Sequence, residues 1–164
     1  RMTRDRWLMI VMGAVALSVF ITPPARELFV GDETKYAQIE REMRGGAVFL
    51  PTLEGAPFTH KPPLHFWMID GLTYVFGVYS TWSFVLPSIA GFLALLWLMW
   101  RMEGAVAAFI CGTSLLVWGS AQSARMDGTF TFCLAFAGWM MQRAWATEAE
   151  ASRPKARGMA GVGA

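Results

Sequence analysis

The chain has 164 residues, 55% of them hydrophobic and 16% charged, with a formal net charge of +2. Soluble domains carry about 25% charged residues, so this balance points to an integral membrane protein. The small net charge and the lack of a basic stripe argue against a nucleic-acid partner. Cys111 and Cys133 both sit inside apolar runs and supply neither a disulfide framework nor a metal pattern.

In chain order, Arg1, Arg4 and Arg6 precede an apolar run from Trp7 to Thr22. A secretory leader starts the same way, but Thr22-Pro23-Pro24 stands where a small-residue cleavage site belongs. The run is therefore read as a retained signal anchor and first span, slightly short for a bilayer. Residues 23–83 form a loop whose first part holds Arg26, Glu27, Asp32, Glu33, Lys35, Glu40, Arg41, Glu42, Arg44, Glu54, His60 and Lys61, too charged to enter lipid.

Within this loop Asp32 is placed to cap a helix from Glu33 to about Arg44. Tyr36, Ile39 and Met43 recur at helical spacing, while Lys35, Glu42 and Arg44 lie off that stripe. Such a helix is expected to lie flat on the membrane. Gly45-Gly46 ends it, and Pro51, Pro57, Pro62 and Pro63 keep the stretch after it irregular. Leu64 to Tyr79 is apolar and aromatic but contains His65 and Asp70, so it is either a short span or an interfacial helix.

Three further stretches suit a bilayer: Phe84 to Trp100, Ala105 to Ala121 and Thr129 to Trp145. The predicted fold class is therefore all-α, a polytopic helical membrane protein with about four spans. Cytoplasmic flanks carry Lys and Arg. With residues 1–6 inside and 64–79 interfacial, Arg101 returns to the cytoplasm, and so do Arg143 and, in the segment 146–164, Arg153, Lys155 and Arg157. The loop carboxylates and a second outer loop near 122–128 then share the outer face. The small apolar residues 158–164 read as the start of a further span that has been cut off.

Three clusters carry potential chemistry. Asp32-Glu33-Thr34-Lys35-Tyr36-Ala37 is either a helix start or a carboxylate at a cavity rim, able to take a proton from an acceptor hydroxyl or amine. His60-Lys61-Pro62-Pro63 is either a turn with a snorkelling lysine or a fixed ammonium facing a phosphate. Pro63 suits the first turn of the next helix, and His60 taken alone reads as a surface histidine. Arg125-Met126-Asp127-Gly128 is either a juxtamembrane ion pair or a cation and second carboxylate facing the same cavity.

Taken in order, Asp32 to Ala37, Arg41-Glu42-Met43, Pro51, Gly55-Ala56-Pro57-Phe58, Lys61-Pro62-Pro63-Leu64, Trp67, Leu86-Pro87-Ser88-Ile89-Ala90-Gly91 and Arg125-Met126-Asp127 resemble the ArnT-like glycosyltransferases. These are GT-C enzymes related to the protein O-mannosyltransferases. The resemblance covers roughly residues 7–143 and implies a multi-pass enzyme of the bacterial inner membrane with its active site on the outer, periplasmic face. It implies a polyprenyl-phosphate sugar donor and a lipid, glycan or protein acceptor.

By the same resemblance Asp32 matches the catalytic base, Lys61 the lysine that holds the donor phosphate, and Asp127 the acidic residue of the second outer loop. Glu33 joins them as a catalytic candidate; Lys35, Tyr36, Arg125 and His60 join Lys61 as substrate-binding candidates. Lys35 stands where an arginine is usual, and Val85 where an arginine often precedes Leu-Pro-Ser. His60 stands where a glutamate is often found, a departure that weighs against a metal or acceptor role at this position; whether a divalent metal is used is left open by the sequence. Family members are much longer, so the chain is read as an amino-terminal fragment, inactive alone. The rival class is a non-catalytic transporter or assembly subunit, but the charges gather at the span ends rather than the midplane.

Overall fold

The structure, a computed structural model, describes residues 4–21, 28, 31–46, 48–77 and 80–151. It comprises α1 (Arg4–Ser18), α2 (Gly31–Arg44), β1 (Thr52–Leu53), β2 (Ala56–Pro57), α3 (Leu64–Phe76), α4 (Thr81–Glu103), α5 (Ala105–Thr113), α6 (Leu115–Ala121) and α7 (Asp127–Ala151). The segment read as a further span at 158–164 lies outside the described residues.

Helix α4 is central. It packs against α7, α5, α3, α6 and α2, and α1 packs against α5. Its sequence is rich in Leu, Ala, Met and Trp, and it stops at Gly104, whose φ of 85° is cheap for glycine. Among the described residues it is the helix long and apolar enough to cross a bilayer, at 23 residues. Of the other stretches read as spans, α1 has 15 residues. Helix α7 has 25 residues but carries Asp127, Arg143, Glu148 and Glu150.

The stretch 105–121 is two helices rather than one. Thr113 Oγ1 bonds back to Phe109 O at 2.8 Å, and Ser114 is extended at φ −61°, ψ 120°. Hydroxyl side chains that engage the backbone compete with helix continuation. Trp118, after the break, ties α6 to α1 by donating its indole N–H to Ser18 Oγ at 2.9 Å.

Helices α4 and α7 meet through small residues. A Cβ on Gly91 would lie 2.4 Å from Thr129 N, and one on Gly128 would lie 3.1 Å from Ser88 O. Thr129 Oγ1 donates to Pro87 O at 2.9 Å. Ser88 Oγ donates to Arg125 O at 2.6 Å and lies 3.2 Å from Arg125 N. The Leu86-Pro87-Ser88 motif is thus the seat on which α7 begins.

Helix α2 starts at Gly31, so Asp32 lies in the first turn instead of at the cap. The stripe Tyr36, Ile39 and Met43 is fully buried. It faces protein, with α3, α4 and the β1–β2 ribbon around it, rather than resting on lipid as its amphipathic spacing suggests. Helix α3 ends at Phe76, three residues before the expected Tyr79, because Gly77 adopts φ 87°.

The segment expected to be irregular contains a ribbon pairing Thr52 with Pro57 and Leu53 with Ala56. Glu54 and Gly55 turn it with φ of 57° and 76°. Two positive φ values are what a two-residue hairpin turn of the primed type requires.

Candidate active site

The site is built on the buried face of α2. Besides the apolar stripe, that face carries Glu33 at 0% and Glu40 at 2% exposure. Buried carboxylates need partners, and each has them. Glu33 Oε1 accepts from Ala124 N at 2.7 Å, joining the first loop to the second. Glu40 Oε1 accepts from Arg44 Nε at 2.6 Å, and the Thr73 hydroxyl sits 2.9 Å away. Arg44 Nη2 also reaches Thr73 Oγ1, which binds the end of α2 to α3.

Tyr36 lies on the same face and meets the Lys-Pro-Pro turn. Pro63 occupies the position before α3 with φ −72°, ψ −18°, so proline geometry fixes the chain just after Lys61. Lys61 Nζ donates to Tyr36 Oη at 2.6 Å and lies 5.0 Å from the ring centroid. The Tyr36 ring is held edge-on by Phe66 at 5.3 Å and His65 at 5.7 Å. Beside Lys61 an open groove of about 430 Å³ runs past Phe49, Leu50, Phe58, His60 and Pro62.

The second loop sits over this arrangement. Arg125 Nε pairs with Asp127 Oδ2 at 2.9 Å, with both side chains about half exposed. Ser88 and Glu33 fix the backbone immediately before the pair. The structure therefore brings Glu33, Tyr36 and Lys61 into one cluster and anchors the Arg125–Asp127 loop to it. Lys35 is exposed at the edge of the buried face of α2, and His60 is exposed against Phe58 at 5.5 Å. Asp32 is placed by its backbone in the first turn, and its side chain lies outside the described atoms. Among the described residues no group of three His, Cys, Asp or Glu side chains could hold a metal ion.

Two features escape motif reading. Glu42 lies off the apolar stripe, yet its carboxylate accepts from Gln38 Nε2 (2.9 Å), Thr52 Oγ1 (2.6 Å), Glu54 N (2.8 Å) and Gly55 N (3.1 Å). These bonds, Thr52 first, hold its pKa down at about 2. His65 is 2% exposed, and neither ring nitrogen has a hydrogen-bond partner. Burial, and next the charge of Lys61, push it down to about 4 against an opposing pull from Asp127. The spacing of Glu33, Tyr36, Glu40 and Met43 could have disclosed the two buried carboxylates. Nothing local discloses Glu42's role, because its partners lie across a turn.

Comparison with known proteins agrees with the ordered motifs. The family model for dolichyl-phosphate-mannose-protein mannosyltransferase matches residues 60–163. The undecaprenyl phosphate-alpha-4-amino-4-deoxy-L-arabinose arabinosyl transferase of Edwardsiella ictaluri is 33% identical over 152 residues, which cover 87% of this chain and 26% of that protein. A second arabinosyl transferase of the same description, from Sodalis glossinidius, is 30% identical over 138 residues, covering 77% of this chain and 25% of its own length. The chain thus spans about a quarter of the length of these curated relatives. No solved structure matches it. With the ArnT-like resemblance supported from both directions, the chain belongs to the dolichyl-phosphate-mannose-protein mannosyltransferase family.

Proposed function

We propose that this chain is part of a membrane glycosyltransferase that moves a sugar from a polyprenyl-phosphate donor to a lipid, glycan or protein acceptor. The observation that carries the reading is the 2.6 Å contact from Lys61 to Tyr36. It joins the two motifs expected to hold the donor phosphate and the base. The family match and the donor named in both relatives' descriptions support the same chemistry.

In this reading the donor phosphate is both anchor and leaving group. As the anomeric C–O bond breaks, negative charge grows on the phosphate, and the Lys61 ammonium, assisted by Arg125 or Lys35, stabilises it. Asp32 takes the proton from the acceptor nucleophile as it attacks the anomeric carbon, giving inversion in a single displacement. Asp127 orients the acceptor, and Glu33 positions the second loop through Ala124. Four spans, with the first and second loops outside, put all these groups at the outer face of the inner membrane. A transporter is the alternative class; it fits the charges at the helix ends less well.

The test is transfer from radiolabelled undecaprenyl-phosphate sugar by membranes carrying the full-length protein. Asp32→Asn is expected to abolish transfer while leaving membrane insertion intact, and near-normal turnover removes Asp32 from the base role. Lys61→Ala is expected to weaken donor use chiefly, and an unchanged donor dependence counts against the phosphate assignment.

A further inference from the structure

Helix α2 holds the segment that leads to Lys61 at two points. At the first, the Tyr36 phenol oxygen accepts from Lys61 Nζ at 2.6 Å. At the second, further along α2, Glu42 grips the β1–β2 ribbon. Its Oε1 accepts from Gln38 Nε2 and Glu54 N, and its Oε2 accepts from Thr52 Oγ1 and Gly55 N. The donors from Thr52, Glu54 and Gly55 all belong to the ribbon and its turn. An ionised carboxylate offers about four acceptor sites, and here each oxygen already takes two bonds. Glu42 is thus spent on holding the chain rather than on meeting a substrate. The turn it holds is one that the chain does not adopt freely, because Glu54 is a non-glycine residue at φ 57°.

The grip reaches Lys61 by a short path. Phe58 N donates to Pro51 O at 2.8 Å and closes the foot of the ribbon. The Phe58 ring then meets Phe66 of α3 edge-on, 6.0 Å between centroids. Thr59 and His60 are all that separate this foot from Lys61, and Pro62 and Pro63 fix the chain on its far side. The same foot walls the groove beside Lys61, through Pro51, Phe58, Thr59 and His60. A ribbon that swings away from α2 carries that wall and the Lys61 backbone with it. We propose that Glu42 is a positioning residue for Lys61: by clamping the ribbon to α2, it sets where the ammonium stands in the groove and how well it meets the donor phosphate. This rests on the reading of the protein as a polyprenyl-phosphate-dependent transferase and adds to it a residue outside the Lys-Pro-Pro turn that acts through the turn's lysine.

The test is a double-mutant cycle in the full-length protein. Its readouts are the Kd for undecaprenyl phosphate, the donor KM and kcat, and the Tm in detergent. Glu42→Gln keeps the side chain's size but turns one acceptor oxygen into a donor that faces the ribbon's own donors. It is expected to raise Kd and donor KM about three- to tenfold, the scale of one hydrogen bond, with kcat little changed. In a Lys61→Ala background the same change is expected to leave Kd where Lys61→Ala alone put it, because residues that act through one another are not additive. Thr52→Val removes one ribbon donor and leaves the carboxylate in place. It is expected to shift Kd the same way by a smaller factor, and it carries the cycle if Glu42→Gln does not fold. A lowered Tm with Kd and KM unchanged makes the clasp purely structural and overturns the proposal. A rise in Kd by the same factor in both backgrounds overturns it too, because Glu42 then acts by a route other than Lys61. A Kd that does not respond to Lys61→Ala removes the donor reading itself, so the two failures are distinguishable.

Discussion

Glu33 Oε1 accepts a hydrogen bond from Ala124 N at 2.7 Å across a sequence separation of 91 residues. The bond is buried and fastens the second loop to α2, so Glu33 sets the distance between the acidic motif and the Arg125–Asp127 pair. Glu33→Ala leaves the Ala124 N–H without its acceptor, a loss of about 1–3 kcal/mol for a buried group. Thermal unfolding in detergent is expected to show a lowered Tm for Glu33→Ala. Glu33→Gln, which keeps an acceptor oxygen, is expected to lose less; equal losses remove the hydrogen bond from the explanation.

The phenol of Tyr36 is a separate handle on Lys61. Tyr36→Phe keeps the ring against Phe66 and His65 while removing the oxygen that accepts the Lys61 hydrogen bond. One hydrogen bond that aims an ammonium is worth about two- to tenfold in an equilibrium constant. The donor KM is expected to rise by that factor in steady-state transfer assays. A KM identical to the parent's means that Tyr36 does not aim Lys61.

Gly91 is expected to tolerate no side chain. The Cβ of Gly91→Ala falls 2.4 Å from Thr129 N, a backbone atom that cannot swing away. Overpacking of this kind costs about 1–3 kcal/mol or more. It also parts α4 from α7, so the fraction of folded protein recovered in detergent drops. Gly119→Ala, where no atom lies within 4 Å of the added Cβ, is the control expected to behave as the parent.

The Glu42 clasp gives a pH signature. Its folded pKa of about 2 lies below the ordinary value of 4.5. A depressed carboxylate contributes its stabilisation in full above the unfolded value and loses it as pH falls through the folded one. The Gly55 amide shift is therefore expected to hold steady down through pH 4.5 and to inflect near 2. Glu42→Gln is expected to flatten the profile, and an inflection near the ordinary value refutes the clasp.

Several elements were legible in the chain. The spacing of Tyr36, Ile39 and Met43 named the buried face of α2, Gly45-Gly46 marked its end, and the Lys61-Pro62-Pro63 turn announced the start of α3. The resemblance carried by the ordered motifs matched the family. Three features were not legible. The break at Ser114 depends on a hydroxyl choosing a backbone partner. The ribbon at 52–57 is held by a carboxylate on another element. The identity of the surface under α2 depends on which helices pack there.

Composition and periodicity settle which residues avoid water and which face of a helix they share, because those properties come from transfer free energy and a repeat of about 3.6 residues. They name no neighbour for that face. That Glu33 closes on Ala124, that Lys61 finds Tyr36, and that His65 is walled in without a partner emerge from the packing of distant segments. A hydrogen bond requires two groups within about 3 Å, and the fold supplies that proximity across gaps that local spacing does not reach.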